Sequence, residues 1–184
     1  MSDSQNEYLE VFPTWLASLN DDVHTVLNAL KSETVEGESR RLLVSGINYF
    51  FKSLDLVPDG VAEIGYLDDA FVLRLVTKAA LDGEITGVDD DIQNRLGELA
   101  SDTSIILEFL EKDIYARFEN YVNGLTKGAA RGRTVDEIVA QTDVFEHFVE
   151  DAQQFIENYR CPTFEKDAKN LVKLKAFLDA KLPQ

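Results

Sequence analysis

The sequence predicts an all-α protein: an irregular bundle of roughly eight helices forming one domain over residues 1–184. Apolar residues recur at three- and four-residue spacing along almost the whole chain, without the strict alternation of half-buried strands. Clusters of Gly, Pro, Ser, Asn and Asp break that pattern into helix-sized pieces. With 45% apolar residues there is enough to fill a core, yet no uninterrupted apolar run approaches the ~18 residues of a membrane span.

Pro13 precedes a short helical piece over 15–19, and Asn20 then caps a helix with Val23, Val26, Leu27 and Leu30 on one face. A helix over 38–53 carries Leu42, Leu43, Ile47, Phe50 and Phe51. The stretch 55–65, punctuated by Pro58, Gly60 and Gly65, reads as a structured turn, and a helix resumes over 68–81. Helices over 89–100 and 104–125 follow, the second with a long stripe through Leu107, Leu110, Ile114, Phe118 and Val122.

Residues 127–133, with two glycines and the cations Lys127, Arg131 and Arg133, are expected to form an exposed, mobile hinge and a preferred site of tryptic cutting. Thr134 and Glu137 then have capping-box spacing. Asp143 is expected to cap a helix over 144–159 that Cys161 and Pro162 end, and Thr163 to cap a last helix over 164–182. Residues 134–184 would then be a C-terminal helical hairpin docked after the hinge.

Eighteen basic against 34 acidic residues give a formal charge of −16, and the first hundred residues hold −12 of it. No basic face exists to displace counterions from phosphate, so no nucleic-acid partner is expected. One Cys excludes a disulfide framework or a multi-thiolate metal site, and two His leave little for a nitrogen-rich centre. The start lacks a basic-then-apolar leader, so a cytoplasmic protein without an integral membrane segment is expected.

The densest chemistry lies at Leu54-Asp55-Leu56-Val57-Pro58-Asp59, followed by Gly65-Tyr66-Leu67-Asp68-Asp69 and an apolar helix. Pro58 forbids helix continuation, Gly65 permits a positive φ, and Asp68 and Asp69 stand in a first helical turn, where carboxylates cap amides and complement the dipole. On this reading the carboxylates cap helices and pair with Arg40, Arg41, Lys52 or Arg74. Alternatively, Asp55, Asp59, Asp68 and Asp69 converge on a hard divalent cation of the Ca²⁺ or Mg²⁺ class.

Asp55, Leu56, Pro58, Asp59, Gly65, Tyr66, Leu67, Asp68 and Asp69 all fall at the spacing of the YkvA-like family, the domain of unknown function 1232, and the stretch 42–81 resembles it within a motif core of 38–82. Ser53 and Ala62 stand where members often carry Pro, and Gly60 replaces a large apolar residue. The resemblance implies a small helical unit of unestablished activity, found alone or attached to other domains.

Weaker signals resolve to plainer roles. Asp82 to Gly87 begins like a calcium loop, but Asp89 takes its apolar position and Gln93 its bidentate glutamate. His147 falls on the solvent side of its helix, His24 edges an apolar stripe, and Cys161 lacks the partners of a nucleophile. Lys127, Arg131 and Arg133 could hold an anion near the helix start at Thr134, but lack a P-loop ending. The sequence therefore points to a non-enzymatic helical domain acting through an unnamed protein partner, without a cofactor. The alternative is a carboxylate metal protein with a sensing or hydrolytic role.

Overall fold

The computed structural model describes residues 3–32, 34–52, 55–58, 61, 64–83 and 85–184, with side chains from Gln5 onward. Among them it is an all-α irregular bundle, with helices α1 (Asp3–Lys31), α2 (Gly37–Tyr49), α3 (Leu67–Asp82), α4 (Asp90–Ser101), α5 (Thr103–Gly124), α6 (Val135–Ala140), α7 (Thr142–Asn158) and α8 (Ala168–Lys181). The buried side chains form one continuous cluster from Tyr8 on α1 to Leu182 beyond α8.

Helix α3 is the axis of the bundle. Every residue from Leu67 to Thr77 is buried, so the helix is enclosed on all sides, with α1, α2, α4 and α5 packed around it. A Cβ on Gly46 of α2 would collide with Val76 Cγ2, so only glycine lets α2 lie this close to α3. Phe12, Trp15, Phe71, Phe109 and Phe118 meet mostly edge to face and join α1, α3 and α5.

The structure corrects several boundaries. Helix α1 runs unbroken through Pro13 and Asn20. Proline removes one amide and costs ~3 kcal/mol in a helix interior. Tyr8, Leu9, Phe12, Trp15, Leu16 and Leu19 bury a continuous face on both sides of it, which offsets that loss. Helix α5, expected to be regular, breaks at Glu111 (φ 63°, ψ 166°), whose carboxylate reaches Lys175 on α8 at 2.6 Å. Helix α7 starts at Thr142 without a side-chain cap, which leaves Asp143 in the first turn as a dipole partner. Residues 159–167 are not helical, and Asp167, not Thr163, caps α8 by accepting from the Lys169 amide at 2.9 Å. The capping box of Thr134 and Glu137 forms in full.

In place of a C-terminal hairpin, α7 packs on α1 and α6 while α8 packs on α1 and α5. The Tyr159 hydroxyl donates to the Leu16 carbonyl at 2.7 Å, and Arg117 of α5 pairs with Asp179 of α8.

The basic segment is likewise no open hinge. After a 3₁₀ turn (Leu125–Lys127), Ala129–Ala130 pairs antiparallel with Arg133–Thr134 through a two-residue turn. Arg131 (φ 49°) and Gly132 (φ 77°) are both left-handed, as the turn that matches strand twist requires. Both arginines pair with Asp151 of α7, and the Arg131 guanidinium lies 4.6 Å from the centre of the Phe51 ring. Trypsin is therefore expected to cut first after Arg160, in the non-helical connection, and Asp151→Ala should speed cutting after Arg131 and Arg133. Mapping the first fragments by mass spectrometry checks this; a first cut after Arg131 or Arg133 in the parent chain would contradict it.

Candidate functional site

The Asp-rich turn lies between the end of α2 and the start of α3. Backbone bonds close turns at both of its ends: Lys52 N–H donates to the Tyr49 carbonyl at 3.0 Å, Val61 N–H to Pro58 at 2.9 Å and Gly65 N–H to Val61 at 2.8 Å. Tyr66 precedes α3 with a left-handed backbone (φ 68°), uncommon for a bulky residue. Its ring is held edge-on against Tyr159 at 5.5 Å and Phe155 at 6.3 Å, so packing with α7 offsets the strain.

Asp68 does not cap α3. Its side chain is fully buried, and Oδ2 accepts from the Tyr49 hydroxyl at 2.6 Å and from the Val57 amide at 3.0 Å. The Tyr49 oxygen accepts in turn from the Leu56 amide at 2.9 Å. Two consecutive loop amides thus end on a single tyrosine–carboxylate pair, which ties α2, the loop and α3 together. Asp69 is also buried, at 2% exposure, and Asp55 is half-buried.

The carboxylates surround two phenols. Tyr49 and Tyr121 meet edge to face at 6.4 Å, and the Lys52 ammonium lies within 5.6 Å of both ring centres while donating to the Tyr121 hydroxyl at 3.4 Å. Burial, then the charges of Asp68 and Asp69, hold the Tyr49 phenol far above its ordinary range. Burial, then Asp68 and Asp55, push Tyr121 up to about 12. Burial lowers Lys52 against the opposing pull of Asp55. At neutral pH both phenols therefore keep their protons and neither is a base.

Asp55, Asp68 and Asp69 thus share one neighbourhood, while Asp59 lies outside the described residues. No group of three or more His, Cys, Asp or Glu side chains among the described residues is placed to hold a metal ion. Three of the four cations expected to pair with this cluster are bonded elsewhere: Arg40 to the Leu30 and Val35 carbonyls, Arg41 to Glu38 and Asp136, and Arg74 to Asp22 and Asp102. Arg131 and Arg133 face Asp151, and Lys127 stands exposed in its 3₁₀ turn, so the three do not frame an anion site.

Sequence reasoning missed the partner, Tyr49, and a second polar centre. Arg74 and Asp22, both fully buried, pair at 3.4 Å, and the Arg74 guanidinium lies 4.1 Å from the Trp15 ring centre. Burial lowers the Arg74 pKa while Asp22 and Asp102 oppose the loss of charge. A lone arginine within Phe71-Val72-Leu73-Arg74-Leu75-Val76 was the available signal, because a charge inside an all-round apolar helix needs a buried counter-ion.

These elements coincide with one comparison. Residues 39–75 match the family described as a protein of unknown function, DUF1232. The matched segment spans most of α2, the loop and the first half of α3, and so contains Tyr49, Val57 and Asp68. No curated protein and no solved structure matches the chain.

Asp68→Ala would strand the Tyr49 hydroxyl and the Val57 amide, so it should cost about 2–5 kcal/mol by chemical denaturation, beyond the ~1 kcal/mol typical of a lost cap. A loss within the capping range would remove the latch. The raised phenols set a pH dependence. Their folded values exceed the unfolded value of ~10, so their contribution is intact below pH ~10 and is lost as pH rises through the folded values. For Tyr121 that window runs from ~10 to about 12. Unfolding free energy should fall across it, and Tyr49→Phe should flatten the slope; an unchanged slope would contradict the assignment.

Proposed function

We propose that this chain is a non-enzymatic cytoplasmic helical module acting through protein contacts, with the DUF1232 segment as its rigid scaffold. The observation that carries the reading is the inward commitment of the motif: Asp68 and Asp69 are buried, and the Asp68 carboxylate holds Tyr49 and the Val57 amide. Groups so placed build the fold, which leaves recognition to the surface. That surface carries exposed acids including Asp21, Asp89, Asp90 and Asp91, which favours a partner with basic patches. The exposed free thiol of Cys161 fits a reducing compartment.

The competing reading makes Asp55, Asp59, Asp68 and Asp69 ligands of a divalent cation with a sensing or hydrolytic role. Calorimetric titration of the full chain with Ca²⁺ and with Mg²⁺ separates the two. The scaffold reading predicts no saturable heat and an unchanged melting temperature, before and after EDTA dialysis. Saturable heat with a raised melting temperature would transfer the function to the carboxylates, since a ligand that binds only the folded state stabilises it.

A further inference from the structure

A cavity of about 260 Å³ opens where the end of α1 faces Arg40 of α2 and the junction of α6 and α7, and it shares no residue with the Asp-rich turn. It lies just below the ~300 Å³ at which small-molecule sites begin, so it suits one charged group on a short stem rather than a whole cofactor. Its apolar walls are Leu30, Val139 and Phe145, and its charges are Lys31 and Arg40. Among the described residues no carboxylate lines it, in a protein whose formal charge is −16.

Arg40 is fixed in place but only partly spent. Its Nη1 donates to the Leu30 carbonyl at 2.8 Å and to the Val35 carbonyl at 3.4 Å, and the guanidinium lies 4.7 Å from the centre of the Phe145 ring. These bonds take two of its five N–H donors, and among the described residues Nε and Nη2 have no acceptor. Nε and Nη2 form an edge of the guanidinium that takes a carboxylate or phosphate through two parallel bonds. Lys31, exposed in the last turn of α1, likewise makes no ion pair among the described residues. The other polar side chains of the lining are neutral hydroxyls and a carboxamide, which donate or accept equally, so the two cations set the preference. Burial lowers the Arg40 pKa, and the carboxylate that opposes this, exposed Glu36, stands outside the lining.

We propose that this cavity binds an oxyanion, a carboxylate or phosphate carried on a short apolar stem, with the free edge of Arg40 as its bidentate donor and Lys31 as the second cation. The stem packs on Leu30, Val139 and Phe145. A cationic ligand would meet two positive charges with no carboxylate between them, and a neutral ligand would forgo the charge-assisted bonds that give the site its strength. The proposal rests on this cavity and is independent of the scaffold reading above.

Chemical shifts of the backbone amides and of the arginine Nε–H groups in the isotope-labelled full chain report occupancy. The probes are butyrate, butyl phosphate, acetate, butylammonium and 1-butanol, titrated at constant ionic strength so that screening does not change. Saturable shifts are expected with butyrate and butyl phosphate at millimolar concentrations, centred on Arg40 Nε–H and the amides of 139–145. Acetate should bind more weakly than butyrate, and butylammonium and 1-butanol should give no saturable shift. Lys31→Gln lies on the surface and should fold normally while weakening butyrate by about threefold. Arg40→Lys keeps the charge, loses the fork and should weaken it by about tenfold. Glu36→Gln removes the opposing charge and should strengthen it.

Absence of a saturable shift with both four-carbon anions, an equal response to butylammonium or 1-butanol, shifts centred elsewhere on the chain, or an affinity unchanged by Lys31→Gln would overturn the site. Equal affinity for acetate and butyrate would overturn the apolar stem. The tighter of butyrate and butyl phosphate, which share a stem, identifies the head group, and either supports the site. None of these results bears on the calcium and magnesium titration, so failure of the cavity and failure of the scaffold reading are distinguishable.

Discussion

The bond from Tyr49 to Asp68 is the constraint on which the centre of this protein depends. Placing a carboxylate inside a helical core costs several kcal/mol unless hydrogen bonds replace its water. Here the replacements come from the last residue of α2 and from a loop amide, so meeting the cost of burial also fixes where α2 ends and how the chain re-enters α3. The same economy lets α3 run through the middle of the bundle. Thr77 donates to the Leu73 carbonyl, and Arg74 finds Asp22, Asp102 and the face of Trp15. Of the four polar side chains buried along this axis helix, Asp68 and Arg74 take counterparts from neighbouring elements and Thr77 bonds within α3 itself.

Much of this architecture was legible in the sequence. The three-and-four spacing gave the helices, and the capping box gave the start of α6, because these signals are local. The motif stood out as a unit and its turn lies where Pro58 requires one. Long-range pairing was not legible. Tyr49 reads as one more residue at the end of an amphipathic helix, and nothing near it announces that Asp68, nineteen positions on, accepts its hydrogen bond. Asp68 and Asp69 stand in a helix's first turn, where capping is the ordinary role; their burial follows from α3 being enclosed, which only assembly decides.

The boundaries that local signals misplaced share a cause. At Pro13 and Asn20 the breakers were outweighed by an apolar face buried along α1, aromatic around Pro13 and aliphatic around Asn20. At 127–133 the glycines and cations that read as a flexible linker became a tight turn, because Asp151 of α7 receives both arginines and Phe51 lies beneath one of them. In each case a contact distant in sequence overrode a local preference worth one to a few kcal/mol. The cavity beside Arg40 follows the same logic, since its walls converge only when α1, α2, α6 and α7 are assembled.

The Val57 amide tests the central claim most directly. It lies in a loop, and its hydrogen-bond acceptor is the buried Asp68 carboxylate. If that carboxylate is the latch of the bundle, native-state hydrogen exchange should show the Val57 amide opening only with a free energy close to that of global unfolding, alongside the core of α3. Exchange at the rate of an exposed loop amide, while α3 stays protected, would show that the helices assemble without the latch.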